Sequence, residues 1–273
     1  MSSDWPEKEL IPYEPSSFSA RVALVLAPHA DDEVFGCGAA LAQLAAGGAR
    51  VVVAVLTDGA AAEADPEARA RIGAARAAES RAALEALGGG TLDVGALPDR
   101  GLLARPDELA RELLRLLSAH RPDLVLVPSP SEIHPDHRAV AEAVLGGVPG
   151  PLAPFLAEAT VAFYEVSQPM RPNFLLDATP YVAAKERAMA AFPSQTAGLD
   201  YPRFVRGLNA YRAMTLGPGV AAAEGYFVVG GATLAAHDAA ARGALRRAIG
   251  PSEAAPREAK GGLLGRLARA ARG

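Results

Sequence analysis

The chain has 273 residues, half of them hydrophobic, enough to bury a full core, which excludes a disordered or fibrous protein. A formal net charge of -4 gives no overall attraction to a polyanion, so no nucleic acid is expected as partner. With a single cysteine, Cys37, the chain can form no internal disulfide and no Cys-rich zinc site.

Residues 1–20 read as an N-terminal extension, polar and acidic, without the basic stretch and apolar run of a signal peptide, so cytoplasmic residence is expected. From Arg21 to residue 236, short apolar runs alternate with Ala-rich segments of helical spacing. This predicts a Rossmann-like α/β domain, a mostly parallel sheet flanked by helices, with a C-terminal extension. The first strand is Val22 to Leu26, and the helix after it has acids at its start and Gly47-Gly48 at its end. A strand from Val51 to Leu56 enters Thr57-Asp58-Gly59, and a long helix runs from Pro66 to Leu87. A short strand near Leu92 to Ala96, a helix from Pro106 to His120, and the apolar run Asp123 to Val127 follow, the last reading as a fully buried strand.

A helix then begins at Pro135 and ends near Leu145. Past the Gly/Pro-rich stretch 146–154 come strands at Val161 to Val166, Phe174 to Leu176 and Tyr226 to Val229, with helices near Pro180 to Phe192 and Tyr201 to Met214. They are read as an extension of the same sheet. Residues 237–273 form a basic, small-residue-rich tail expected to be flexible and outside the core. Its segment Leu263 to Arg272 reads either as a solvated terminus or as a basic amphipathic helix resting on an anionic membrane surface, at the inner face. No apolar segment approaches the roughly 18–20 residues of a membrane span.

Chemistry concentrates at two strand ends. Pro28-His29-Ala30-Asp31-Asp32-Glu33 stands where the first strand runs out and a helix begins, the edge at which open α/β sheets bind ligands. Adjacent carboxylates there have an ordinary use as helix caps. Ser129-Pro130-Ser131-Glu132-Ile133-His134-Pro135-Asp136-His137 follows the buried run ending at Val127. Of the chain's five histidines, His29, His134 and His137 lie in these two motifs, and each motif pairs histidine with aspartate. If the two strands are near neighbours, the motifs meet in one crevice. They then offer His, Asp and His ligands with an open position, the pattern of a catalytic zinc centre.

These residues resemble the zinc-dependent deacetylases of the LmbE-like, or PIG-L, family, which remove acetyl groups from N-acetylglucosamine-type substrates. The family's first motif, His-Pro-Asp-Asp-Glu, stands here as His29-Ala30-Asp31-Asp32-Glu33, and the second, His-Pro-Asp-His, is intact from His134 to His137. Softer similarities fall at Arg76-Ala77-Ala78-Glu79, Leu97-Pro98-Asp99, Ser194-Gln195 and Ala223-Glu224-Gly225-Tyr226-Phe227. The resemblance implies His29, Asp32 and His137 as ligands of Zn2+, Asp31 as general base, and an N-deacetylase acting on linear amides. Chemistry agrees, since one of two adjacent aspartates can reach the metal while the other faces the open position. A protonated His134, favoured by Asp136, is expected to stabilise the oxyanion, and Asp31 to return its proton to the departing amine. A His2Asp site also accepts Fe2+, Mn2+ or Co2+.

Ala30 replaces the motif's proline without removing a ligand. Asp58 either accepts sugar hydroxyls or forms an Asx turn, and Arg76 either reaches a substrate hydroxyl or phosphate or pairs with Glu79 on its helix surface. Cys37 reads as core packing. The expected partner is a small amino-sugar substrate, free, lipid-linked or nucleotide-linked, and a homo-oligomer stays open. The alternatives are an amidase of a thiol-glycoside conjugate and an inactive sugar-binding relative. A receiver-type regulatory module also places an acidic pair after its first strand, but the histidines and the chain length argue against it.

Overall fold

The computed structural model describes residue 11 and residues 13–60, 63–147 and 150–250. Among them, eight strands form one sheet: β1 (Pro15–Ser16), β2 (Val22–Ala27), β3 (Arg50–Thr57), β4 (Thr91–Leu97), β5 (Leu124–Pro128), β6 (Thr160–Tyr164), β7 (Phe174–Asp177) and β8 (Ala223–Gly230). Their spatial order is β1-β7-β8-β6-β5-β2-β3-β4. Strand β8 runs antiparallel to β6 and β7, and the remaining pairs are parallel. The helices are α1 (Asp32–Ala46), α2 (Pro66–Ala86), α3 (Pro106–His120), α4 (Pro135–Gly146), α5 (Ala153–Ala157), α6 (Val182–Met189), α7 (Pro193–Thr196), α8 (Tyr201–Ala213), α9 (Gly231–Ala236) and α10 (Ala239–Ile249).

The apolar run of β2 is continuous because both of its faces are covered. Ala23, Val25 and Ala27 pack into the core under α1, while Leu24 and Leu26 pack into the opposite core with Leu113, Leu117 and Val140 of α3 and α4. Strand β2 lies hydrogen-bonded between β3 and β5, with Ala23 opposite Leu124 and Val25 opposite Leu126. The two motif-bearing strands are therefore direct neighbours, and both motifs emerge from their carboxyl ends.

Helix α1 is broken at Cys37 (φ -138°, ψ 25°), between Gly36 and Gly38. A Cβ on Gly36 would overlap the ring of Tyr164, so glycine is what lets the helix start so close to β6. Beyond the break, the N–H groups of Ala39 and Ala40, freed from the helix ladder and buried, donate to Glu224 Oε1 and Oε2 at 2.8 and 2.9 Å. Buried Lys185 donates to the same carboxylate at 2.6 Å, and the Tyr226 hydroxyl donates to it at 2.6 Å. A carboxylate from β8 thus caps a helix whose first turn carries the site.

Two expectations change. The supposed tail from residue 237 is not outside the core as far as residue 249. Helix α10 buries Leu245 and Ile249, one turn apart on one face, and Arg246 pairs with Glu142 of α4 at 2.7 Å. Its basic composition hid a two-residue apolar contact. At the other end, β1 pairs with β7 and Phe18 stacks on Phe174 with ring centroids 4.4 Å apart, so Pro15 and Ser16 join the sheet and Phe18 packs on it, rather than forming an extension. The proposed amphipathic segment from Leu263 to Arg272 lies outside the described residues. Among those described, no helix is long and apolar enough to cross a membrane.

Candidate metal centre

Asp31 occupies the N-cap position of α1 with φ 120°, a conformation costly for a residue with a Cβ. Its carbonyl accepts from Val34 N and Phe35 N at 2.9 Å and its own N–H donates to Glu33 Oε2 at 2.9 Å. Its side chain makes no capping hydrogen bond, so the carboxylate is not spent on the helix and instead lines a cleft. Burial, reinforced by the charges of Asp32 and Glu33, pushes that carboxyl well above its usual range.

Three donor atoms converge beside it. Asp32 Oδ2 lies 3.3 Å from His29 Nδ1 and 3.2 Å from His137 Nε2, and the two imidazole nitrogens are 3.4 Å apart. A tetrahedral ion with bonds of about 2.0–2.1 Å separates its ligand atoms by about 3.3 Å, so the triangle fits such an ion. The surrounding charge asks for one as well. Asp99 Oδ1 and Asp136 Oδ2 each lie 3.3 Å from His29 Nε2, and Glu132 Oε2 lies 3.4 Å from His137 Nδ1. Burial would lower His29, but hydrogen bonds to Asp136, Asp32 and Asp99 outweigh it and push the imidazole up to about 12. His137 is carried to about 9 against the same opposing burial, chiefly by Asp32. These are the signs of carboxylates in excess of cations. Two other groupings, His29 with His134 and His137, and His29 with Asp99 and Asp136, also place donor atoms within 4.8 Å. The triangle with Asp32 is preferred because His29 Nε2 is engaged by Asp99 and Asp136, leaving Nδ1 as the nitrogen that would face a bound ion.

The structure brings His29, Asp31, Asp32, His134 and His137 to one cleft, with Arg76 at its edge. Asp136 sits behind them: its charge acts on His134 in the expected direction but is outweighed by burial and by His29 and His137, and its carboxylate contacts His29 instead. Its Oδ2 holds His29 and its Oδ1 accepts from Leu102 N at 3.1 Å. Only its backbone N–H meets His134, donating to Nδ1 at 3.2 Å in an N-cap of α4. An acceptor nitrogen carries no proton, and burial with the nearby His29 and His137 pushes His134 below its ordinary value. With Nδ1 accepting, the tautomer that fits this geometry carries its proton on Nε2 and remains a donor.

Asp58 leaves the site. Its Oδ1 accepts from Ala60 N at 3.1 Å, an Asx turn, and from Asp99 N at 3.3 Å, while Oδ2 pairs with Arg69. Arg76 does not pair with Glu79. Its Nη1 lies 3.8 Å from Asp99 Oδ2, and its Nε and Nη2 donate at 2.7 and 3.2 Å to Gln195 once that amide turns its oxygen inward. Glu79 instead receives Ser194 N and Ser194 Oγ at 2.9 and 2.5 Å, joining α2 to α7. The softer motif similarities at 76–79 and 194–195 thus form one latch at the rim. Sequence reasoning placed Asp99 and Glu132 within its motifs, both after strand ends, but gave neither a role.

The family model described as PIG-L, GlcNAc-PI de-N-acetylase, matches residues 24–146, a span holding both motifs. The diacetylchitobiose deacetylase of Thermococcus kodakarensis is 31% identical over 191 residues, covering 63% of this chain and 69% of that protein. Among solved structures, the N,N'-diacetylchitobiose deacetylase of Pyrococcus horikoshii shares the fold with a TM-score of 0.65 at 24% identity, over 78% of this chain and 85% of that one. GalB, the 4-carboxy-2-hydroxymuconate hydratase of Pseudomonas putida KT2440, aligns with a TM-score of 0.60 at 25% identity, over 77% and 96%. Taken with the two motifs meeting at neighbouring strand ends, these relationships establish that the chain belongs to the PIG-L family.

Proposed function

We propose that the protein is a metal-dependent N-deacetylase that hydrolyses the acetamide of an N-acetylated amino sugar or its conjugate, with zinc as the ion. The observation that carries this reading is the 3.2–3.4 Å triangle of His29, Asp32 and His137 with the uncapped Asp31 carboxylate beside it. A divalent ion held there supplies Lewis acidity, polarising the amide carbonyl and lowering the pKa of water. Asp31, its carboxyl held above the usual carboxylate range by burial, takes a proton from the attacking water and returns it to the departing amine. His134 donates its Nε2–H to the developing oxyanion as a neutral imidazole, held in that tautomer by Asp136 N. His29 is oriented by Asp136 and Asp99.

The cleft has a volume of about 570 Å³. Arg76, Asp99, Arg100 and Gln195 offer donors and acceptors to sugar hydroxyls. The lining also includes Tyr201, Phe204 and Leu208 of α8 and Pro169, and Tyr201 and Phe204 are 41% and 57% exposed. Large apolar side chains left open at a cleft mouth favour a substrate whose sugar carries an apolar group.

The test is metal analysis of the purified chain together with acetate release from N-acetylglucosamine, diacetylchitobiose and an octyl glycoside of N-acetylglucosamine. The expected result is one zinc per chain and acetate release, fastest from the octyl glycoside. No acetate from any of the three by the metal-loaded protein would sink the deacetylase reading and turn attention to the water-addition chemistry named for GalB.

A further inference from the structure

Glu132 lies between a ligand histidine and the wall of the cleft, and nothing in the chemistry above uses it. It is 1% exposed. Its Oε1 accepts from the backbone N–H of Val166, Ser167 and Gln168 at 2.7, 3.2 and 3.3 Å, and its Oε2 accepts from Ser167 N at 3.1 Å and Ser167 Oγ at 2.7 Å. Three successive N–H groups make a concave seat for an anion. The same Oε2 is 3.4 Å from Nδ1 of His137, whose Nε2 belongs to the ligand triangle. Val166 and Ser167 in turn line the cleft.

We propose that Glu132 is a positioning residue that joins the ligand His137 to the substrate-facing strap at residues 166–168, fixing the tautomer of one and the backbone of the other through a single carboxylate. The inference rests on the metal reading of the preceding section. An imidazole that binds an ion through Nε2 carries its proton on Nδ1 and needs an acceptor there. His137 Nδ1 is buried and makes no hydrogen bond in the present geometry, and Glu132 Oε2 stands 3.4 Å from it. A carboxylate can serve both sides because it only accepts. An amide cannot: with its oxygen in the N–H seat, its NH2 faces Nδ1 and drives the histidine proton onto Nε2, the ligating atom. Removing the carboxylate entirely would leave three backbone N–H groups without their acceptor as well.

Zinc is titrated by calorimetry into the metal-free full-length chain and into Glu132→Gln, with thermal melts of both in the metal-free state. The variant is expected to melt near the wild type, since its amide oxygen keeps the N–H seat filled, yet to bind zinc about 10–100-fold more weakly. An affinity within about threefold of the wild type in the folded variant overturns the inference alone, because a group that fixes the tautomer of His137 must act on the ion through that histidine. A wild-type chain that binds no zinc overturns the metal reading and this inference together. Should the variant not fold, the zinc-loaded wild type labelled with 15N-histidine decides: a protonated Nδ1 and a ligated Nε2 on His137 support the proposal, and ligation through Nδ1 overturns it.

Discussion

His29 Nε2 and Asp136 Oδ2 lie 3.3 Å apart, so the aspartate of the second motif holds the histidine of the first. The pairing turns His29 Nδ1 toward Asp32 and fixes which nitrogen is free to bind an ion. Asp136→Asn keeps an acceptor for Leu102 N but can present NH2 to Nε2, shifting the histidine proton to the ligating nitrogen. The expected outcome is zinc affinity about 10–100-fold weaker by calorimetry, with the α4 cap at His134 Nδ1 retained.

Asp31→Asn is expected to separate binding from chemistry. The side chain makes no capping hydrogen bond and stands outside the ligand triangle, so zinc affinity stays close to the wild type. Acetate release should fall about 10²–10⁴-fold, the range for loss of a general base. Turnover at the wild-type rate would remove Asp31 from the mechanism.

His134→Ala loses an oxyanion donor and an N-cap acceptor at once. We expect kcat about 10²–10³-fold lower with KM little changed, and stability lower by about 1 kcal/mol from the lost cap. A change in KM alone would mean that the residue binds substrate rather than stabilising the transition state.

Lys185→Met tests the carboxylate that caps the broken α1. Both Lys185 and Glu224 are buried, at 3% and 1% exposure, and removing the cation leaves an uncompensated charge. The expected cost is about 3–5 kcal/mol in denaturant unfolding of the metal-free chain. The double variant Lys185→Met, Glu224→Gln should recover part of that loss, and failure to recover any would show that packing of the lysine stem matters more than charge.

Much of the fold was legible because its strands are buried on both faces. Continuous runs such as those of β2 and β5 leave little choice but a parallel sheet, and Pro at the first turn marked the starts of α2, α3 and α4. What stayed hidden depends on partners distant in sequence. The two-residue β1 exists only against β7, and α10 shows two apolar contacts in a basic segment. At the site, the paired motifs pointed to His29, Asp32 and His137, which the structure brings together, while the groups that support them did not stand out. Glu132 and Asp99 look like solvated loop carboxylates until the strap 166–168 and His29 are seen against them. Asp136 was assigned to His134 alone because the motif offers that neighbour in sequence, whereas its side-chain contact, His29, is brought in by the loop after β2.

His29 and His137 are 108 residues apart and approach only where β2 meets β5. In a chain with one cysteine, an ion between them acts as a removable staple across the sheet, closing a loop that no disulfide can close. The zinc proposed as the reagent of this site is thereby also a cross-link of the fold, and a chelator is expected to lower the melting temperature along with the activity.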